Sequence, residues 1–170
     1  MCFDTVYITP IYASKTYHHY DPCELLEIDP MLGTWEDFKN LALDKYYTNS
    51  NDRSSIIYVT INHLNYLFTG DISKEVESDL YQTYHHLDVD VLKVAHHGSS
   101  SSSSEDLFKM IDPKVALISV GKNNRYRHPS YLTLKRLEAY GVKIYRSDLQ
   151  GMVKIVYYGG KNYIMTSSGF

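Results

Sequence analysis

A mixed α/β domain, with helices packed on a sheet, is the fold class predicted by this sequence of 170 residues. Short apolar, β-prone runs alternate with helical periodicity between residues 65 and 145, the mark of strand–helix–strand units. Two runs, Val89–Ala95 and Val115–Val120, are apolar almost throughout, as strands covered on both faces are. Three runs end abruptly in residues that bind metals or anions: Leu67–Asp71, Val91–Ser99 and the segment Gly121–Pro129 that follows Val115–Val120. Strand ends are rigid, so side chains placed there are held in fixed positions.

Phe3–Thr9 reads as a strand halted by Pro10, and residues 12–30, with Pro22 and Pro30, as an irregular segment. Thr34 is placed to cap a helix over Trp35–Tyr47, with Asp37 at its third position and Trp35, Phe38, Leu41 and Ala42 on one face. Asn49–Asp52 is a turn. Arg53–Thr60 and Asn65–Thr69 form a hairpin through residues 61–64. Ser73 opens a helix to about Leu87 that buries Val76, Leu80, Tyr84 and Leu87. The run of six serines, Ser99–Ser104, has a linker's composition, yet Ser102 and Glu105 make a capping box for a helix through Ile111. Pro129 takes the first turn of a helix after His128, and Gly141 closes it. Val142–Tyr145, Gly151–Tyr158 and Lys161–Met165 are closing strands. No repeat and no boundary interrupts the chain, so residues 1–170 are read as one domain.

Net charge is only −3, but it is unevenly spread. Residues 1–106 hold 6 Lys/Arg against 17 Asp/Glu, and residues 107–170 hold 11 against 3. That asymmetry marks either a face for an anionic ligand or two halves that attract each other. Tyrosine dominates the aromatics, with 17 residues against five Phe and one Trp. Amphipathic surface positions or a base-stacking surface both account for it. Cys2 and Cys23 form neither a metal-binding pair motif nor a disulfide framework, which points to a reduced, cytoplasmic protein. No apolar run is long enough to span a membrane, and the N-terminus lacks a basic leader region, so neither membrane insertion nor a signal peptide is expected.

The motifs Phe68-Thr-Gly-Asp71, Asp90–Ser99 with its His96-His97-Gly98 core, and Ser119–Pro129 resemble the metallo-β-lactamase-fold domain of ComEC-type competence DNA-uptake proteins. Arg146-Ser-Asp148 and Gly151 fit its tail, and the resemblance is continuous over roughly residues 50–155. It implies an αββα sandwich, truncated at its N-terminal side. The H-x-[HD]-x-D-H loop that supplies most of the ligands in such hydrolases is not found in this sequence, and Phe3–Thr9 resembles the strand that follows it. The chain is therefore expected to start inside the domain. Relatives of this type are membrane-attached, although this chain itself carries no span.

In such a domain one or two zinc or manganese ions acidify a bound water, which attacks a phosphodiester. The resemblance assigns Asp71, His96 and His97 to the metal, and Asp71, His97 and His128 to the reaction. Asp71 resembles the carboxylate that bridges two ions; its plainer role is to cap the helix after it. Continuing the strand, His96 and His97 would face opposite ways, so one is the ligand and the other supports it or transfers protons. Which is which stays open. His128 either donates a proton to a leaving group or fixes its loop. Ser99, Lys122, Asn123, Arg125 and Tyr126 are the substrate-binding candidates, with Arg127 beside them where relatives carry glycine. Ser99 has the plainer alternative of a loop and cap residue. No G-x-S-x-G elbow is present, which sets aside a serine hydrolase.

Two functions remain. One is a metal-dependent hydrolase acting on phosphodiesters or DNA. The other is a non-catalytic module that works by homo-oligomerisation, or by pairing with a chain that supplies the missing N-terminal half.

Overall fold

The computed structural model describes residues 35–167 apart from Ala42, with side chains from Lys39 onward. The expected strand Phe3–Thr9, the irregular segment 12–30, Thr34 and both cysteines lie outside the described residues.

Six strands form one mixed sheet in simple sequence order: β1 (Trp35–Asn40), β2 (Ile57–Ile61), β3 (Leu64–Phe68), β4 (Val91–Lys93), β5 (Val115–Ile118) and β6 (Lys143–Arg146). The first three pair antiparallel, and β3 to β6 run parallel. Each parallel connection carries a helix: α1 (Lys74–Tyr84), α2 (Glu105–Ile111) and α3 (Tyr131–Ala139). A short α4 (Ser147–Gln150) leads into a separate antiparallel hairpin of β7 (Val153–Tyr158) and β8 (Lys161–Thr166).

Right-handed crossovers between strands added in one direction place all their helices on one face of the sheet. The register shows the consequence. Leu67, Leu92 and Ala116 stand in one cross-strand row and are fully buried beneath Val76 and Leu80 of α1, Leu107 and Phe108 of α2, and Leu137 of α3. The neighbouring row, Tyr66, Val91 and Val115, faces the opposite side in a smaller cluster with Val59 and Phe68. There Ile57, Ile61, Leu64, Val115 and Leu117 are only half-buried, and Ile155 of β7 packs against them.

Three expectations are corrected. Residues 35–47 are not a helix: Trp35–Asn40 pairs with β2 across a register irregularity, and no helix follows up to Ser50. The open edge of β2 offered backbone hydrogen bonds, and satisfying them outweighed a weak helical periodicity. Ser102 is not the cap of α2. Ser104 is, accepting from the Leu107 amide at 3.2 Å, while the Ser102 hydroxyl is fully buried and donates to the Ile72 carbonyl at 2.6 Å. Pro129 precedes α3 rather than filling its first turn, because Ser130 is the cap and accepts from the Thr133 amide. The other expected strands and helices fall in place, with ends shifted by a few residues, and α4 is an addition that no sequence pattern announced.

The serine run is ordered structure. Buried Glu77 of α1 accepts the amides of Ser103 at 2.6 Å and Ser104 at 2.7 Å. Lys74 donates its amide to Ser101, and Thr133 of α3 donates its hydroxyl to the Ser99 carbonyl. Hydroxyls and exposed amides that composition assigns to a linker are used to lock α1, α2 and α3 together.

Candidate functional site

Parallel strands end at one edge of the sheet, where ligand sites of α/β proteins form. The loops after β3, β4 and β5 meet there. The His96 amide donates to the Gly70 carbonyl at 3.1 Å, joining the first loop to the second. The Ser130 amide donates to the Gly98 carbonyl at 2.8 Å, joining the second to the third. Gly98 has φ +83°, and a Cβ there would stand 2.5 Å from Cβ of Pro129. Gly70, at φ +53°, lies equally close to Ser54, whose hydroxyl accepts the Asp71 amide at 3.1 Å. Glycine is therefore required at both junctions by contact as well as by backbone angle.

His96 and His97 do not continue β4. Both adopt left-handed backbone angles, φ 48° and 53°. The alternation expected of a strand therefore does not apply, and the strained turn presents both rings at the loop. The Nδ1 of His97 lies 2.8 Å from the Ser119 carbonyl. A carbonyl only accepts, so Nδ1 carries a proton, which in the neutral ring leaves the lone pair on Nε2. That is the arrangement by which a backbone carbonyl orients an imidazole for a metal or a proton.

A row of planar groups crosses the site. The Arg125 guanidinium lies 4.7 Å from the Tyr126 ring, which stacks on His128 at 5.8 Å. His128 meets His96 edge-on at 5.8 Å, and His96 meets His97 at 6.4 Å. Burial holds the His128 imidazole below its ordinary pKa; His96 and His97 push the same way, and Asp71 opposes them. Asp71, His96, His97 and His128 thus form one electrostatic group.

The remaining candidates divide. Arg125 and Tyr126 join the histidines, while Lys122 and Asn123 are exposed on the same loop. Ser99 is buried, with its hydroxyl 2.9 Å from that of Ser101, in a loop role. Asn124 was not among the candidates. Its carboxamide accepts the His128 amide at 2.9 Å and donates to the carbonyls of His128 at 2.7 Å and Gly121 at 3.1 Å. Only its place four residues before His128 hinted at this.

Donor chemistry suits zinc or manganese, but the grouping does not complete a centre. Among the described residues, no three or more His, Cys, Asp or Glu are placed to hold a metal ion. A catalytic zinc takes three protein ligands.

No family model matches the chain. Its homologues include ComE operon protein 3 of Bacillus subtilis (strain 168), 35% identical over 120 residues and 71% of this chain. Competence protein ComA of Neisseria gonorrhoeae is 34% identical over 62% of the chain. Recombination protein 2 of Haemophilus influenzae (strain ATCC 51907 / DSM 11121 / KW20 / Rd) is 33% identical over 64%. The chain spans 14–16% of the length of these relatives. Among the described residues, no helix is long and apolar enough to cross a membrane.

Proposed function

We propose that this chain is the C-terminal part of a metallo-β-lactamase-like αββα domain that serves in competence and acts on the phosphodiesters of DNA. The observation that carries the reading is the convergence of Asp71, His96, His97 and His128 from three strand-end loops, with Arg125 stacked on Tyr126 at its border. The one-sided placement of α1, α2 and α3 supports it, since the second face of the sheet is where the other half of a four-layer sandwich packs. The competence homologues support it too. Within this reading a zinc or manganese centre draws at least one donor from outside residues 35–167.

The chain's own residues divide the work. Arg125 and Lys122 neutralise phosphate charge. His97 offers a lone pair at Nε2, and His128, neutral near pH 7 because of its lowered pKa, takes or gives a proton.

The test is metal content after incubation with zinc and manganese, beside Asp71→Ala, followed by cleavage of single-stranded DNA. Stoichiometric metal that is lost in the variant, together with cleavage, supports the hydrolase. Absence of both rejects it.

The lack of a three-donor group among the described residues favours a second reading, a non-catalytic module that dimerises or accepts a partner chain on its half-covered sheet face. It expects no metal and a concentration-dependent mass in solution.

A further inference from the structure

The β7–β8 hairpin carries a face that the loop site does not use. Its register pairs Tyr158 with Lys161, Val156 with Tyr163, and Lys154 with Met165. Side chains alternate along a strand, so these six share one face. Ile155 and Asn162 belong to the other face, which holds the hairpin to the body: Ile155 packs against the sheet, and Asn162 donates to the Asn62 carbonyl at 2.9 Å.

On the outer face Tyr158 is 77% exposed and Tyr163 48%, and both lysines are exposed. Tyr158 and Tyr163 are diagonal neighbours, which sets their backbone positions roughly 7 Å apart, a spacing that successive bases can span. Lys161 stands beside Tyr158, and Lys154 one step beyond Tyr163. Neither lysine has an ion pair among the described residues, and no Asp or Glu follows Asp148 in the sequence. Asp148 itself is bound by Arg146 at 2.6 Å.

Exposed aromatic rings interleaved with cations, on a hairpin whose own residues include no acid, match a chain of stacked bases joined by phosphates. We infer that this face binds single-stranded nucleic acid, with Tyr158 and Tyr163 as stacking platforms and Lys154 and Lys161 on the phosphates. It needs no metal and no hydrolysis, and it gives a use to part of the tyrosine excess.

The experiment is fluorescence anisotropy of the full chain with a labelled oligothymidylate, in EDTA, across a salt series. The variants are Tyr158→Ala/Tyr163→Ala and Lys154→Gln/Lys161→Gln, with circular dichroism to confirm that they fold. The tyrosine pair is expected to weaken binding at least tenfold, because each stacked base is worth about 1–3 kcal/mol. The lysine pair should lower the salt slope by roughly 1.4, at about 0.7 per phosphate for a single strand. Binding by the wild type that both pairs leave unchanged overturns the inference, as does no binding at all. Loss of anionic-vesicle binding in the variants, with oligonucleotide binding intact, also overturns it and makes the face a membrane contact. Since EDTA removes any metal dependence, the hydrolase reading can fail while this one holds, and the reverse.

Discussion

The carboxamide of Asn124 brackets His128, accepting its amide at 2.9 Å and donating to its carbonyl at 2.7 Å. A side chain four residues away thus sets where an imidazole of the site stands. Asn124→Ala is expected to cost about 1–3 kcal/mol, as three backbone groups lose their partner. It should also let His128 titrate closer to its ordinary value as the ring leaves its half-buried seat. Histidine NMR titration beside thermal unfolding checks both. An unchanged His128 titration would remove the positioning role.

His128 also reports on its neighbours. Burial, His96 and His97 lower its pKa, and the charge of Asp71 raises it. Asp71→Asn should therefore lower it further, and His96→Gln should raise it, both read by NMR on metal-free protein. The sign for stability follows from the depressed folded value. The contribution is present above the ordinary value of 6.5 and is lost as pH falls through the folded one.

Gly98→Ala tests the junction of two loops. Its Cβ would meet Pro129 at 2.5 Å from a backbone with φ +83°. A destabilisation of about 2 kcal/mol or more is expected from the strain and the displaced proline together. Urea unfolding measures it, and a cost below that of an ordinary surface change would contradict the close approach.

Glu77 couples the serine run to pH. Desolvation raises its pKa, although the amides of Ser103 and Ser104 oppose the rise. With the folded value above the ordinary 4.5, its contribution is complete below that value and declines as pH rises through the folded pKa. Glu77→Gln should flatten this part of the stability profile. It should also cost about 1–3 kcal/mol at low pH, where one amide faces a donor. Parallel profiles for the two proteins would rule this coupling out.

Arg127 occupies a left-handed backbone, φ +58°, a region that favours glycine. Relief of that conformation is worth about 1–2 kcal/mol, of which glycine's freedom in the unfolded chain returns part. Arg127→Gly is expected to raise the melting temperature slightly, and a lower one would show that the guanidinium holds the loop.

Much of the fold was readable because local pattern and tertiary environment agree. The apolar runs at Val91 and Val115 are strands, although helices cover one face where cover on both was expected, and the periodicity around Val76 and Leu80 is the buried face of α1. The reading failed where a distant partner decided. Trp35–Asn40 became a strand because β2 had an open edge. Ser102 turned inward because the Ile72 carbonyl lay within reach, leaving Ser104 to cap α2.

The sequence by itself determined the chemistry available to this protein. It set a carboxylate and three histidines at strand ends, cations near them, and tyrosines and lysines alternating near the C-terminus. Only the tertiary structure decided which of these meet. The left-handed turn at His96 and His97, the Asn124 bracket, the Ser119 carbonyl on His97 and the shared face of Tyr158 and Tyr163 all depend on where the backbone passes. Residue type sets what a group can do. Backbone carbonyls and amides brought in from distant strands set its orientation, its protonation and its partners, and local pattern does not encode them.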